Sequence, residues 1–280
     1  IPVYIVAGQS NTDGRASMEE MPEEVRRYVA EDGASDIMIS YCNGVTRNEL
    51  GKFTPYVPMY EGNDSERCGF DAILYNKLGS VSGKPLYVIK ESKGGTSIDT
   101  LCTSSGGLYW NADETWLGHA GIARYDRNTK ETIGKSLLLQ LEANVDSCVR
   151  SALSKSPEGY VIKCIIWHQG ESDRSQGDRY HDNLKRLVEH LRHHIAESTG
   201  DSAYLHLPFI AGGVSRESRQ YSESVEQAKR LLAQEDPDFH YVDLEGCGLR
   251  ADDHLHFNGN GCREVADRFF RRMKDLDLLP

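Results

Sequence analysis

A short stretch near the carboxyl end of the chain places an acid and an imidazole three positions apart. In residues 251–259, Asp253 precedes His256 at a spacing that lets one turn bring the carboxylate to Nδ1 of the ring, leaving Nε2 free. A pair of this kind serves as the acid and base of a Ser–His–acid triad. Asp252 and His254 lie in the same stretch, so a metal site is an equally good interpretation. A solvated acidic loop is the third.

A candidate nucleophile lies near the amino end. The tetrapeptide Gly8-Gln9-Ser10-Asn11 directly follows an apolar run at residues 3–7. A serine on a tight turn after a strand can attack a carbonyl carbon, and its own N–H can stabilise the oxyanion that forms. Taken alone, this tetrapeptide is more typical of a serine that caps a helix.

A glycine pair follows a second apolar run. Gly94 and Gly95 come shortly after residues 86–90. Without a Cβ, such a pair lets the backbone approach a ligand closely and present its N–H groups. Taken alone, the pair is more typical of a flexible turn.

A third polar stretch, residues 167–173, follows the apolar run at 161–167 without a break. Gln169 offers a side-chain amide donor, His168 a potential ligand, and Glu171 a carboxylate. A strand end followed by a helix cap explains Ser172 and Asp173, but it does not explain His168 or Gln169.

Alternating strands and helices must position these stretches. Runs rich in β-branched and aromatic residues predict buried strands at 3–7, 37–41, 86–90, 161–167, 205–211 and 240–244. Apolar residues at helical spacing predict helices over 133–153, 180–195, 225–232 and 262–273. Such alternation predicts a parallel sheet covered on both faces, with ligands bound at the carboxyl ends of its strands. The four polar stretches would then meet at one rim and supply the parts of an acyl-transfer site.

Together, the four stretches resemble the ordered motifs of the SGNH hydrolases. The most similar branch contains the sialate O-acetylesterases and the acetyl-xylan esterases of carbohydrate esterase family 6, and the Trp-x-Gln-Gly-Glu-Ser motif is the most specific feature. The resemblance implies a flavodoxin-like three-layer α/β/α sandwich with a mainly parallel sheet, formed by one SGNH-type esterase domain over residues 1–280. It also implies a serine esterase that needs no cofactor and removes O-acetyl groups from carbohydrate such as acetylated xylan or sialic acid.

The resemblance also implies roles for individual residues. Ser10 would attack the acetyl carbonyl, His256 would accept its proton, and Asp253 would orient His256. Glu171 is the alternative acid, and the spacing of Asp253 to His256 favours Asp253.

The oxyanion would be bound by the N–H of Ser10, by a backbone N–H at Gly94 or Gly95, and by the side-chain amide of Gln169. Asn11 and Arg15 are candidates for holding either the loop or the substrate, and His168 is a candidate for contacting the substrate or for supporting residues that do.

Composition limits the other classes of function. The 280 residues carry a net charge of −11, which disfavours nucleic acid as a partner. No apolar run is long enough to span a bilayer, and residues 1–7 lack the basic flank of a signal peptide. An extracellular or periplasmic location is compatible with the sequence. The seven cysteines lack zinc-ligand spacing, and Cys148, Cys164 and Cys262 are expected to be buried.

Two alternatives remain beside the serine esterase. One is a metal-dependent hydrolase that uses the Asp252–His256 cluster, and the other is a carbohydrate-binding module without catalysis. Either a binding module or an esterase could stack sugar rings on the aromatic residues of the long stretch 96–130, although these residues could equally fill a small core beneath it. They are Tyr109, Trp110, Trp116 and Tyr125.

Overall fold

The computed structural model describes residues 1–31, 33–41, 50–58, 67–126 and 128–280. Its strands are β1 (Pro2–Gly8), β2 (Ala16–Ser17), β3 (Ala34–Tyr41), β4 (Thr54–Tyr56), β5 (Arg67–Cys68), β6 (Leu86–Ser92), β7 (Arg124–Asp126), β8 (Glu131–Ile133), β9 (Val161–His168), β10 (Phe209–Gly212) and β11 (Phe239–Val242). Its α-helices are α1 (Ser10–Asp13), α2 (Glu23–Ala30), α3 (Phe70–Val81), α4 (Glu114–Ala120), α5 (Leu137–Ser151), α6 (Gly177–Thr199), α7 (Glu223–Glu235) and α8 (Gly259–Asp275).

The central sheet has the order β11-β10-β9-β1-β6-β3-β4, and every pair except β3–β4 is parallel. Apolar residues of α5, α6 and α7 pack on one face, and those of α2, α3 and α8 pack on the other. The predicted three-layer α/β/α architecture with a mainly parallel sheet is therefore confirmed. Numbered along the chain, the six parallel strands lie in the order 2-3-1-4-5-6, which differs from the 2-1-3-4-5 order of flavodoxin itself.

The strand registers determine where the site forms. β1 lies between β6 and β9, with Gly8 aligned with both Ser92 and His168. Residues 3–7 are fully buried because helices cover both faces of this central strand. The three loops that follow these strands therefore start at the same level of the sheet and next to one another.

The strand predicted at 205–211 is wrong over its first half. Residues Ser202–His206 form a 3₁₀ turn, and β10 begins only at Phe209. Two local features explain the shift. Asp201 accepts a hydrogen bond from the N–H of Ala203 and caps the turn, and Pro208 has no N–H to donate to a strand.

The helix predicted over 133–153 begins later than its apolar spacing indicates. Ile133 ends strand β8, and a Cβ at Gly134 would lie 2.1 Å from the carbonyl oxygen of Ile122, so the chain turns there. Ser136 then caps α5 by accepting from the N–H of Leu139. The other three predicted helices are present and extend beyond the predicted residues, whereas α2, α3 and α4 were not predicted.

Six cysteines in the described ranges are free and buried, and the prediction that Cys148, Cys164 and Cys262 are buried is confirmed. Cys42 lies outside the described residues, as do residues 43–49 and 59–66. In the part of the chain that the structure covers, no helix combines the length and apolar character needed to cross a membrane.

Candidate active site

The nucleophile loop follows β1 directly. Gly8 has φ +152°, and a Cβ there would lie 2.2 Å from the carbonyl oxygen of His168, so only glycine fits. That carbonyl accepts a hydrogen bond from the N–H of Gln9 at 3.1 Å, which fixes the turn against β9. Ser10 then starts α1 with only 5% of its surface exposed.

The loop between β11 and α8 brings the predicted acid and base to Ser10. Oδ2 of Asp253 lies 2.7 Å from Nδ1 of His256, and Nε2 of His256 lies 3.0 Å from Oγ of Ser10. Oδ1 of Asp253 accepts from the N–H groups of Leu255 and His256 at 2.9 and 3.0 Å. One carboxylate therefore orients the ring and folds the turn that carries it.

The same contacts keep the acid ionised. Partial burial would raise the pKa of the Asp253 carboxyl, but the backbone N–H and imidazole of His256 and the N–H of Leu255 outweigh it. The pKa of Asp253 consequently lies below its ordinary value.

Asn11 joins the nucleophile loop to the base loop. Its Oδ1 accepts from the N–H of Phe257 at 3.1 Å, and its Nδ2 donates to Oε1 of Glu171 at 3.0 Å. Asn11 is adjacent to Ser10 in the chain, and Phe257 is adjacent to His256. Because both ends of this buried amide are bonded within the protein, Asn11 holds the loops together, which is one of its two predicted roles, and its contact with a substrate stays a prediction.

Glu171 does not serve as the acid partner of His256. Its Oε1 accepts from Asn11, and the residue is 1% exposed, whereas Asp253 occupies the position beside Nδ1 of His256. The alternative assignment of Glu171 as the triad acid is therefore wrong. Its carboxylate acts on the site through Asn11.

His168 also lies below the site rather than in it. Its ring packs between Phe70 and Phe257, with centroid distances of 6.1 and 5.4 Å, and the residue is 1% exposed. Burial lowers the pKa of His168, with the charge of Glu171 acting in the opposite direction. The predicted contact between His168 and a substrate is wrong because the aromatic neighbours separate the ring from solvent.

The glycine pair lies against the nucleophile. A Cβ at Gly94 would lie 2.5 Å from Nη2 of Arg15 and 3.4 Å from Cβ of Ser10, so a larger residue would displace the Arg15 guanidinium and contact Ser10. Gly95 has φ +70°, the left-handed conformation that glycine adopts without strain. The pair is therefore placed where a backbone N–H can serve an oxyanion at Ser10.

The side-chain amide of Gln169, predicted to donate to the oxyanion, donates to protein acceptors instead. Its Nε2 donates to the carbonyl oxygen of Thr96 at 3.1 Å and to Oδ2 of Asp173 at 2.5 Å, and its Oε1 accepts from the hydroxyl of Tyr180. Both amide hydrogens thus have protein acceptors. Gln169 would have to release one of them to donate to an oxyanion, because the Asp173 carboxylate competes for the same group.

Arg15 remains beside the nucleophile. Its side chain is 13% exposed, pairs with Oδ2 of Asp13 at 3.2 Å and donates to the carbonyl oxygen of Gly14. Its guanidinium packs over Gly94. Arg250, which the sequence analysis missed, donates to the carbonyl oxygen of Arg15 and so ties the base loop to this corner.

The acidic residues next to the base do not form a metal site. Asp252 makes a bidentate ion pair with Arg250 at 2.6 and 2.9 Å, and this pair lowers its pKa to about 2. Asp253 is bonded to His256. Within the described ranges, no three His, Cys, Asp or Glu side chains converge as metal ligands.

Trp110 belongs to the core. It is fully buried and packs edge-on against Trp167 at 5.2 Å, so the suggestion that it stacks on a sugar is wrong. Tyr109 and Trp116 are half-buried and contact each other at 6.0 Å. The side chain of Tyr125 lies outside the described part of the structure.

The sequence analysis also missed two buried carboxylates near the glycine pair. Asp173 accepts from the backbone N–H groups of Ile98 and Asp99. Asp99 in turn accepts from Asn183 and pairs with Arg179. The only signal was the position of Asp173 at the end of the 167–173 stretch, where a helix cap was the simpler explanation.

Comparisons with known proteins show the family of the chain. Residues 1–275 match a protein family described as "Carbohydrate esterase, sialic acid-specific acetylesterase". The chain belongs to this family. It is a carbohydrate O-acetylesterase, a carboxylic ester hydrolase, as the motifs predicted.

Solved structures share the fold at low identity. A protein from Arabidopsis thaliana is 17% identical with a TM-score of 0.64, and the alignment covers 98% of both chains. NanS is 16% identical with a TM-score of 0.63, over 98% of this chain and 96% of NanS. A carbohydrate acetylesterase from Xanthomonas citri is 13% identical with a TM-score of 0.60, over 99% of this chain and 56% of that one. A search of curated protein sequences gave no match.

Proposed function

We propose that this protein hydrolyses O-acetyl esters of a glycan through an acyl-enzyme on Ser10, within one domain over residues 1–280. One observation carries the proposal: a continuous path from Asp253 Oδ2 through the His256 ring to Ser10 Oγ, with distances of 2.7 and 3.0 Å. Since the carboxylate accepts a hydrogen bond from Nδ1–H of His256, the lone pair on Nε2 faces the serine hydroxyl.

The acylation step follows from this tautomer. Ser10 Oγ attacks the acetyl carbonyl carbon as its proton moves to Nε2 of His256, and Asp253 stabilises the imidazolium. The N–H groups of Ser10 and of Gly94 or Gly95 are the proposed donors to the oxyanion. The imidazolium then returns its proton to the departing sugar hydroxyl.

Deacylation repeats the sequence with water as the nucleophile. His256 removes a proton from water, the hydroxide attacks the acetyl-enzyme, and Ser10 leaves with the proton as acetate is released.

The family description names sialic acid, and the Xanthomonas citri structure is titled a carbohydrate acetylesterase. We therefore propose an acetylated sugar as the substrate, with O-acetylated sialic acid and acetylated xylan as the first two to compare. No nucleic acid or membrane partner is part of the proposal.

The test measures acetate release from O-acetylated sialic acid, acetylated xylan and 4-nitrophenyl acetate, with and without a chelator. Ser10→Ala is compared with Ser172→Ala, which removes a hydroxyl from the same rim but leaves the proposed nucleophile. We expect Ser10→Ala to abolish turnover, while Ser172→Ala and the chelator leave it intact. Activity that survives Ser10→Ala and is lost with the chelator would overturn the serine mechanism. Glycan binding without turnover in the wild type would support a binding module instead.

A further inference from the structure

The glycine turn at 93–96 is anchored differently at its two ends. Upstream, the pairing of β6 with β1 and the hydrogen bond from Lys93 N–H to the Gly8 carbonyl hold it in place. Downstream, Ser97 bonds to Ser104 and Trp110, and the backbone of residues 96, 98 and 99 bonds to the loop after β9. The position of the proposed oxyanion donors therefore depends on that second set of contacts.

Asp173 supplies most of these downstream contacts. Its Oδ2 accepts from Ile98 N–H at 2.9 Å, and its Oδ1 accepts from Asp99 N–H at 2.8 Å. Oδ2 also accepts from Nε2 of Gln169, which donates in addition to the carbonyl oxygen of Thr96. Positions 96, 98 and 99 are thus held by one carboxylate and the amide bonded to it, while Ser97 between them bonds to Ser104 and Trp110.

Thr96 transmits this anchor to the glycines. Its hydroxyl donates to the carbonyl oxygen of Lys93 at 2.7 Å and closes the turn around Gly94 and Gly95. The N–H of Trp110's indole donates to the same hydroxyl oxygen, which fixes the rotamer. Moving the Thr96 backbone would therefore move the glycine N–H groups.

We propose that Asp173 is a positioning residue for catalysis, which sets the geometry of the Gly94–Gly95 oxyanion turn through the backbone of residues 96–99 and through Gln169. A carboxylate is required because each of its oxygens accepts from the neighbouring loop. An asparagine would turn its N–H₂ group either toward Gln169 and Ile98 or toward the N–H of Asp99, and all of these groups are donors. Asp173 is only 1% exposed, and burial raises its pKa to about 6 against the lowering effect of these donors.

This inference rests on the proposed function, and its test compares Asp173→Asn with Asp236→Asn in the full chain. Asp236 also carries a carboxylate bonded to a buried partner, Arg192, but it lies at the opposite ends of the strands. For Asp173→Asn we expect kcat on 4-nitrophenyl acetate to fall about 10- to 100-fold with KM changed less than about 3-fold, since the loss concerns the transition state. For Asp236→Asn we expect a lower melting temperature with kcat unchanged.

A second readout separates positioning from general destabilisation. A 4-nitrophenyl alkylphosphonate reacts with a serine nucleophile and places its phosphonyl oxygen in the oxyanion site, so its rate of reaction should slow in parallel with kcat. Should Asp173→Asn fail to fold, Asp173→Ser, which adds no competing donor of the amide type, provides the same comparison.

The proposal would be overturned by a folded Asp173→Asn or Asp173→Ser variant that keeps kcat and the phosphonylation rate within about 2-fold of wild type. An active wild type with an inactive Ser10→Ala variant keeps the proposed function in place whatever Asp173 does. An inactive wild type would remove the proposed function, and this inference with it.

Discussion

Two regions surround Ser10 and are built by different means. They are the base turn (residues 253–256) and the three-loop rim (residues 8–11, 93–99 and 168–173). The base turn is local: Asp253 bonds to residues two and three positions later. The rim joins loops far apart in the chain, through Asn11 to Glu171 and through Asp173 to Ile98 and Asp99. One region therefore needs only a short sequence to form, whereas the other needs the assembled sheet.

The difference also concerns burial. Asp253 and His256 are partly exposed, while Asn11, Glu171 and Asp173 are almost fully buried. A buried polar group that loses its partner costs about 1–3 kcal/mol, whereas a group near solvent can bond to water. Changes in the base turn should thus affect chemistry alone, and changes in the rim should affect both chemistry and stability.

His256→Gln is expected to have the largest effect on activity. Without an imidazole, Ser10 has no base, and kcat should fall about 10³-fold or more. The melting temperature should stay within about 2 °C of wild type, because the ring is partly exposed and its turn is folded by Asp253. Steady-state kinetics and thermal unfolding measure the two quantities. A large loss of stability would contradict the local character of the base turn.

Asp253→Asn should be the next largest, with kcat reduced about 10²- to 10⁴-fold. The amide can present an N–H to Nδ1 and select the wrong tautomer of His256. The carboxyl of Asp253 has a pKa below its ordinary value, so it is ionised at neutral and mildly acidic pH, and it loses its charge only at still lower pH. Ionisation of Asp253 should accordingly contribute nothing to the pH–rate profile of the wild type between pH 5 and 7.

Asn11→Ala sharpens the comparison from the rim side. It leaves the buried Glu171 carboxylate and the Phe257 N–H without their partner, so the free energy of unfolding should fall by about 1–3 kcal/mol. We expect kcat to fall about 10-fold as well, because Phe257 neighbours His256. Denaturant unfolding and kinetics test both. A variant that loses activity but no stability would show that the rim is no more cooperative than the base turn.

His190→Gln is a control outside both regions and should have the smallest effect. The hydrogen bond to Glu142 on α5 raises the pKa of His190 against the opposing effect of burial. A raised pKa in the folded state stabilises the protein fully below the ordinary histidine value and loses that effect as the pH rises through the folded value. At pH 5.5 the free energy of unfolding of the wild type should therefore exceed that of the variant by less than about 1 kcal/mol. The difference should be smaller at pH 8.5. The opposite pH trend would contradict the assignment, and kcat should be equal.

Much of the fold could be predicted from local patterns. β1 and most of β9 are apolar because both faces are covered, the apolar runs at 37–41 and 86–90 lie within β3 and β6, and α6 follows helical spacing from Tyr180 to Ile195. The errors arose where a single residue outweighed the pattern. Pro208 delayed β10, and the turn at Gly134 cut the first helical turns from the helix predicted at 133–153.

The site divides in the same way. The short spacing of Asp253 and His256, the Gly8-Gln9-Ser10-Asn11 turn and the glycine pair could be read from the chain, because each forms over a few residues with a recognisable constraint. The partners of Gln169, Glu171 and His168 could not, because residue type alone does not say which of several nearby donors and acceptors a buried group will meet.

The sequence by itself thus determined the family, the residues proposed as nucleophile, base and acid, and the position of the polar stretches directly after strands. Only the tertiary structure decided that Asn11 bonds to Glu171 and that Asp173 bonds to Ile98 and Asp99. The reason is physical: those outcomes depend on the register of β1 with β6 and β9, which brings residues more than 70 positions apart into hydrogen-bonding distance.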